Sequence, residues 1–185
     1  MHFFRRRPMV ITILSIIFFI VAFIVFYQYA VSHVMEVELK QVEVDPLKKS
    51  VRSKDSLNMY GLNQTEKEKI INHIDDYKKV TYTFEIKNTS PLADSVYHRV
   101  QPLFSEDTKK LLVVSEKQLW FPRNIPSGES YTTYLTAVIK TAPSLSDQEI
   151  LNMVSKDRFT ITGGREVWSI PFGDESVTVG PLKKN

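Results

Sequence analysis

Cysteine is absent from this chain of 185 residues, which excludes disulfides, thiolate metal sites and cysteine nucleophiles. Glycine is scarce, at 6 residues, and none of it has the spacing or the following helix of a phosphate-binding loop. The GxSxG, HExxH, SxxK and DxDxDG patterns of hydrolases and metal sites are missing as well. So is a real excess of one charge. The net +3 equals the contribution of Arg5, Arg6 and Arg7, and without them 21 Lys and Arg face 21 Asp and Glu. A neutral remainder argues against nucleic acid or another polyanion as a general partner.

What the chain does have is one long apolar run, residues 9 to 31, free of acids and bases and preceded by the three arginines. As a helix it is about 33 Å long, enough to cross a hydrocarbon core of roughly 30 Å. A cleaved signal peptide shares the basic start, but its apolar region is shorter, roughly 7 to 15 residues. The run therefore reads as an uncleaved anchor in contact with the bilayer, with Tyr27 and Tyr29 at the outer interface. The arginine bias keeps residues 1–8 in the cytoplasm as a basic head, and residues 32–185 form one extracytoplasmic domain. The run has no buried charge and no GxxxG seam, so it gives no sign of an ion path or a dimer interface.

Beyond the anchor, residues 35 to 44 alternate as a first strand whose parity changes near Lys40 or Gln41, as a bulge would make it. Asp45-Pro46 ends it. Residues 47 to 62 are polar and basic and read as an exposed, solvated connection, with contact to anionic lipid or wall polymer as the alternative. Thr65 and Glu68 suggest a capping box, with Ile70, Ile71, Ile74 and Tyr77 on the apolar face of the helix it opens. Residues 79 to 88 are the clearest strand, with Val80, Tyr82, Phe84 and Ile86 on one face. Further strands follow near 96–104, 111–114, 117–121 and 131–140. A second helix is capped by Ser146 and Glu149, and Phe159 and Ile161 mark the next strand. Gly163-Gly164 reads as a turn leading into strand 167–172, where Trp168, Ile170 and Phe172 share a face, before a last short strand at 176–179.

Seven or more short strands without regular helix alternation indicate a mainly β fold: an N-terminal transmembrane helix followed by an immunoglobulin-like antiparallel β-sandwich with two short helices. Phe84, Leu135, Ile161 and Trp168 are its expected core residues. The combination of Arg5–Arg7, the 9–31 run and the cysteine-free remainder loosely resembles uncharacterised single-pass membrane proteins of Gram-positive bacteria that carry an immunoglobulin-like ectodomain. That resemblance implies a cell-envelope location and brings no site residues with it.

No residue stands out as catalytic, cofactor-binding or metal-ligating. His73 and Asp76 sit at helical i, i+3 spacing, but two ligands without a third make a poor metal site, and a solvated polar face accounts for them. His98 is a strand histidine that would need Glu106 or Asp107, brought in from a loop, to act as a base; a satisfied structural histidine is the simpler reading. Trp120 and Trp168 would serve a carbohydrate or peptide if exposed, though aromatic residues in strands usually pack. Asn63-Gln64-Thr65 and Asn88-Thr89-Ser90 match the glycosylation sequon and read as cap and turn chemistry. The expectation is a non-enzymatic, membrane-anchored binding or scaffold module, without cofactor, that meets an envelope protein or wall component. Its docking element would be the charged strand 35–44. The alternatives are an envelope hydrolase and an accessory subunit of a membrane transport or secretion complex.

Overall fold

The computed structural model describes residues 6–32, 35–116, 119–121, 124–142 and 144–182. The apolar run is a single helix, α1 (Arg6–Ser32), within which Met9–Tyr29 is long and apolar enough to cross a membrane and is not buried in the protein. Among the described residues eight antiparallel strands follow: β1 (Met35–Pro46), β2 (Tyr77–Asn88), β3 (Asp94–Leu103), β4 (Leu112–Ser115), β5 (Leu119–Phe121), β6 (Ser130–Lys140), β7 (Arg158–Val167) and β8 (Ile170–Val179). They form two four-stranded sheets, ordered β1-β2-β6-β4 and β5-β3-β7-β8. Among the described residues three short α-helices, α2 (Gln64–Asn72), α3 (Glu106–Leu111) and α4 (Asp147–Val154), join them, one more than the two expected, because the Ser105-capped turn of α3 carries no apolar periodicity.

Alternation builds the core. Val80, Tyr82, Phe84 and Ile86 of β2 face Val100, Phe159 and Ile161 from the other sheet, all fully buried. The Phe159 ring lies 4.7 Å from Tyr82 and 4.9 Å from Phe84, ring contacts of a kind worth about 0.5–1.5 kcal/mol beyond burial. In β1 the inward residues are Met35, Leu39 and Val42. The register slips between Leu39 and Gln41, so the bulge expected from the parity change is present.

The connection after β1 differs from its expected exposure. Leu47, Val51, Leu57 and Tyr60 are buried with Ile70, Tyr77 and Val138 in a second core. Val138 and Tyr77 have the opposite parity to the main-core residues, so this segment covers the outer face of the first sheet. Single apolar residues among lysines hid it from a reading of average polarity. The helix that follows is also shorter than expected. Its capping box is Asn63 with Glu66, two residues earlier than Thr65 and Glu68, and it ends at Asn72, leaving Ile74 in a 3-10 turn and Tyr77 in β2. The box at Ser146 and Glu149 opens α4 as expected.

Two expectations about the last hairpin are corrected. Gly163 and Gly164 are not a turn; they lie inside β7, opposite β3. A Cβ on Gly163 would sit 2.9 Å from His98 Cδ2, and one on Gly164 would sit 3.1 Å from Val96 Cγ2, so glycine serves close approach between strands. The turn is Trp168-Ser169, and Trp168, expected in the core, is 87% exposed. Phe84, Leu135 and Ile161 are buried as expected.

Candidate functional site

Sheet order makes β1 an edge strand, and at twelve residues it is a long one. Its outward side chains include Glu36, Glu38, Lys40, Gln41 and Glu43. At the bulge Lys40 meets Glu38 at 2.7 Å and Glu85 of β2 at 2.8 Å. Hydrogen bonding to Lys40 holds the Glu85 carboxyl below its usual range, and the two acids raise the Lys40 ammonium. A bulge with a charged clamp breaks the row of open backbone groups into two halves, which limits uncontrolled edge pairing.

Three cavities border β1. One of about 590 Å³ lies over the strand's outer face, lined by Glu36, Val37, Glu38, Glu85, Lys87 and Ser130. A second, of about 260 Å³, follows the crease between the N-terminal half of β1 and residues 178–181, the end of β8 and the two residues after it. The third, of about 320 Å³, separates Val42–Asp45 from Asp147, Gln148 and Leu151 of α4. The first is lined mainly by charged side chains of the sheet face, whereas the two creases beside β8 and α4 mix apolar residues with acids along the edge, an arrangement that suits an extended peptide better than a small molecule.

The residues weighed for chemistry are placed elsewhere. His98 is fully buried on the central strand β3, its Nε2 2.8 Å from Ser95 Oγ. Glu106 and Asp107 open α3 and do not lie in a loop; Ser105 caps that helix, Lys109 is 2.7 Å from Glu106, and Lys110 and Lys156 reach Asp107 at 3.6 and 3.5 Å. A histidine with no exposure and a Glu106 side chain that is 81% exposed do not face one cleft. His73 ends α2, and among the described residues no three His, Cys, Asp or Glu gather in a metal-binding group. The Trp120 side chain lies outside the described residues, as do Arg5 and Arg123. Of the basic connection, Lys48, Lys49 and Lys54 pair with Asp75, Asp45 and Glu68 at 2.7 to 2.8 Å. Asn63 caps α2, and Asn88 is buried, donating to the carbonyls of Ala93 and Ile125 at 2.8 and 2.7 Å. Asp157, buried and bonded to Tyr82, was not legible as a polar anchor because nothing in its local sequence marks it.

No family model matches this chain, and no curated protein matches it. Solved structures do, at low similarity. A Northeast Structural Genomics Consortium target designated SoR45 is 15% identical, with a TM-score of 0.38, over 78% of this chain and 85% of that one. The putative ApaA protein from Bordetella pertussis is 11% identical, with a TM-score of 0.36, over 79% and 94%. A protein from Archaeoglobus fulgidus is 10% identical, with a TM-score of 0.29, over 76% and 95%. Likeness at that level assigns neither family nor activity.

Proposed function

We propose that this protein is a single-pass module of the cell envelope, anchored through Met9–Tyr29 with its sandwich on the outer side, which works by contact with an envelope protein and not by catalysis. The observation that carries this reading is the edge strand β1, long, charged and bordered by three cavities along its length. A peptide added to one half of β1 gains main-chain hydrogen bonds, and the creases beside β8 and α4 receive its side chains. The immunoglobulin-like character of the sandwich belongs to this reading. It is supported by the strand order: with the small β5 set aside, β1-β2-β6-β4 and β3-β7-β8 follow the A-B-E-D and C-F-G orders of such domains.

Orientation and contact are tested together. Protease added to intact cells is expected to digest the sandwich and spare an N-terminal tag. Crosslinking in those cells is expected to yield a defined adduct that disappears when Glu36, Glu38 and Glu43 are all changed to Lys. A sandwich protected from outside protease, or an adduct indifferent to the three reversals, overturns the proposal.

A further inference from the structure

The hairpin joining β7 and β8 ends in Val167-Trp168-Ser169-Ile170-Pro171-Phe172-Gly173, seven residues without a charge. Trp168 is 87% exposed, Ile170 55% and Phe172 36%. Such a tip costs free energy in water, since each apolar ring and branch left exposed forgoes its burial. The turn is also strained. Val167 pairs with Ile170, so Trp168 and Ser169 form a two-residue loop, and both have positive φ, 52° and 64°. Asn-Gly or Asp-Gly is preferred in that geometry, and a bulky indole there is an outlier that turn formation does not explain.

The position of the tip supplies a reason. The Phe172 ring packs edge-on against Tyr27 of α1 with centroids 5.2 Å apart, and Tyr27 also packs against Ala93 and Val167. Trp168 follows Val167 directly, so its Cα is about 3.8 Å from that of a residue in contact with the helix. Tyr27 lies near the C-terminal end of the Met9–Tyr29 segment, where an anchor would leave the hydrocarbon. Leu92, 41% exposed, precedes Ala93 at the same end of the sandwich. The tether is short too: α1 ends at Ser32 and β1 begins at Met35, three residues on, so Met35 lies within about 11 Å of the helix end.

We propose that the β7–β8 hairpin tip is a second membrane contact, with Trp168, Ile170 and Phe172 seated in the headgroup region of the outer leaflet beside Tyr27. Indole and phenol rings are favoured at that depth because one edge is apolar and the other donates a hydrogen bond. Together with α1 the tip fixes the tilt of the sandwich and turns the β1 edge to a set angle above the bilayer. This rests on the reading of α1 as a membrane anchor.

The test uses the full chain reconstituted into phosphatidylcholine vesicles, with brominated lipids as the quencher. With W120F, leaving Trp168 as the sole indole, emission is expected to be blue-shifted and quenched by lipids brominated near the headgroup. The native chain and W168F are compared in parallel, so that the result does not depend on folding of the W120F variant; the quenchable part of the emission is expected to vanish in W168F. Flotation of the same vesicles reads the anchor separately. Chain that floats while Trp168 stays red-shifted and unquenched overturns the tip contact alone, including the case in which the tip binds protein. Chain that fails to float overturns the anchor and the tip contact with it.

Discussion

The hydroxyl of Tyr82, on the first sheet, donates to Asp157 Oδ2 at 2.6 Å, while Asp157 Oδ1 accepts the backbone N–H of Ser105 at 2.8 Å. Both side chains are fully buried, and Asp157 directly precedes β7 of the second sheet, so one carboxylate ties the two sheets and the start of α3 together. Burial, followed by the nearby carboxylate, pushes the Tyr82 phenol up and so favours the protonated hydroxyl that donates. Tyr82→Phe leaves a buried carboxylate oxygen without its donor and is expected to cost roughly 1.5–3 kcal/mol, read as a lower denaturation midpoint at unchanged slope.

Phe84→Ala removes the ring that meets Phe159 at 4.9 Å in the centre of the core. The expected loss is about 3–5 kcal/mol by chemical denaturation. A loss below about 1 kcal/mol would mean that the site collapses around the missing ring instead of leaving a cavity.

Gly163→Ala drives a methyl to 2.9 Å from His98 Cδ2, with Met35 Sδ at 3.3 Å behind it. Overpacking of this kind costs about 1–3 kcal/mol. Adding His98→Ala should recover part of that loss, and a double-mutant cycle showing strict additivity would contradict the close packing.

Much of this fold was legible from periodicity. The strand at 79–88, the bulge near Lys40 and the capped helix at Ser146 all follow from alternation and cap chemistry, which act locally. What was missed depends on contacts distant in sequence. Gly163-Gly164 resembles a turn until His98 and Val96 are seen pressing on it. Trp168 resembles a core residue until the turn falls on it, and the buried residues of 47–62 are spaced by no single period. The candidate site was partly legible, since charge on β1 marked an edge, but the cavities beside it arise from β8 and α4 and leave no trace in the strand itself.

Acid should weaken the domain in a defined window. The carboxyl of Glu149 is held below its usual range by the Ser146 backbone N–H and then the Ser146 hydroxyl, Glu68 by Lys54, Glu106 by Lys109 and Asp45 by Lys49. A carboxyl lowered in the folded state stabilises above its unfolded value and loses that contribution as pH falls through the folded one. The melting temperature is expected to hold from neutral pH down to about 5 and to fall below it. Glu149→Gln keeps a capping amide without the titration, so it should melt near the parent at neutral pH and show a shallower acid decline. An unchanged acid slope in that variant would contradict the cap's share.

The most direct measurement of the contact reading is site-specific photocrosslinking in intact cells, with a photoreactive side chain placed at Gln41 on the β1 edge and, separately, at Val113 on β4, the opposite edge of the same sheet. Both positions are exposed. Partner docking at β1 predicts one defined protein adduct from Gln41 and none from Val113, whereas no adduct from Gln41, or equal adducts from both edges, would contradict it.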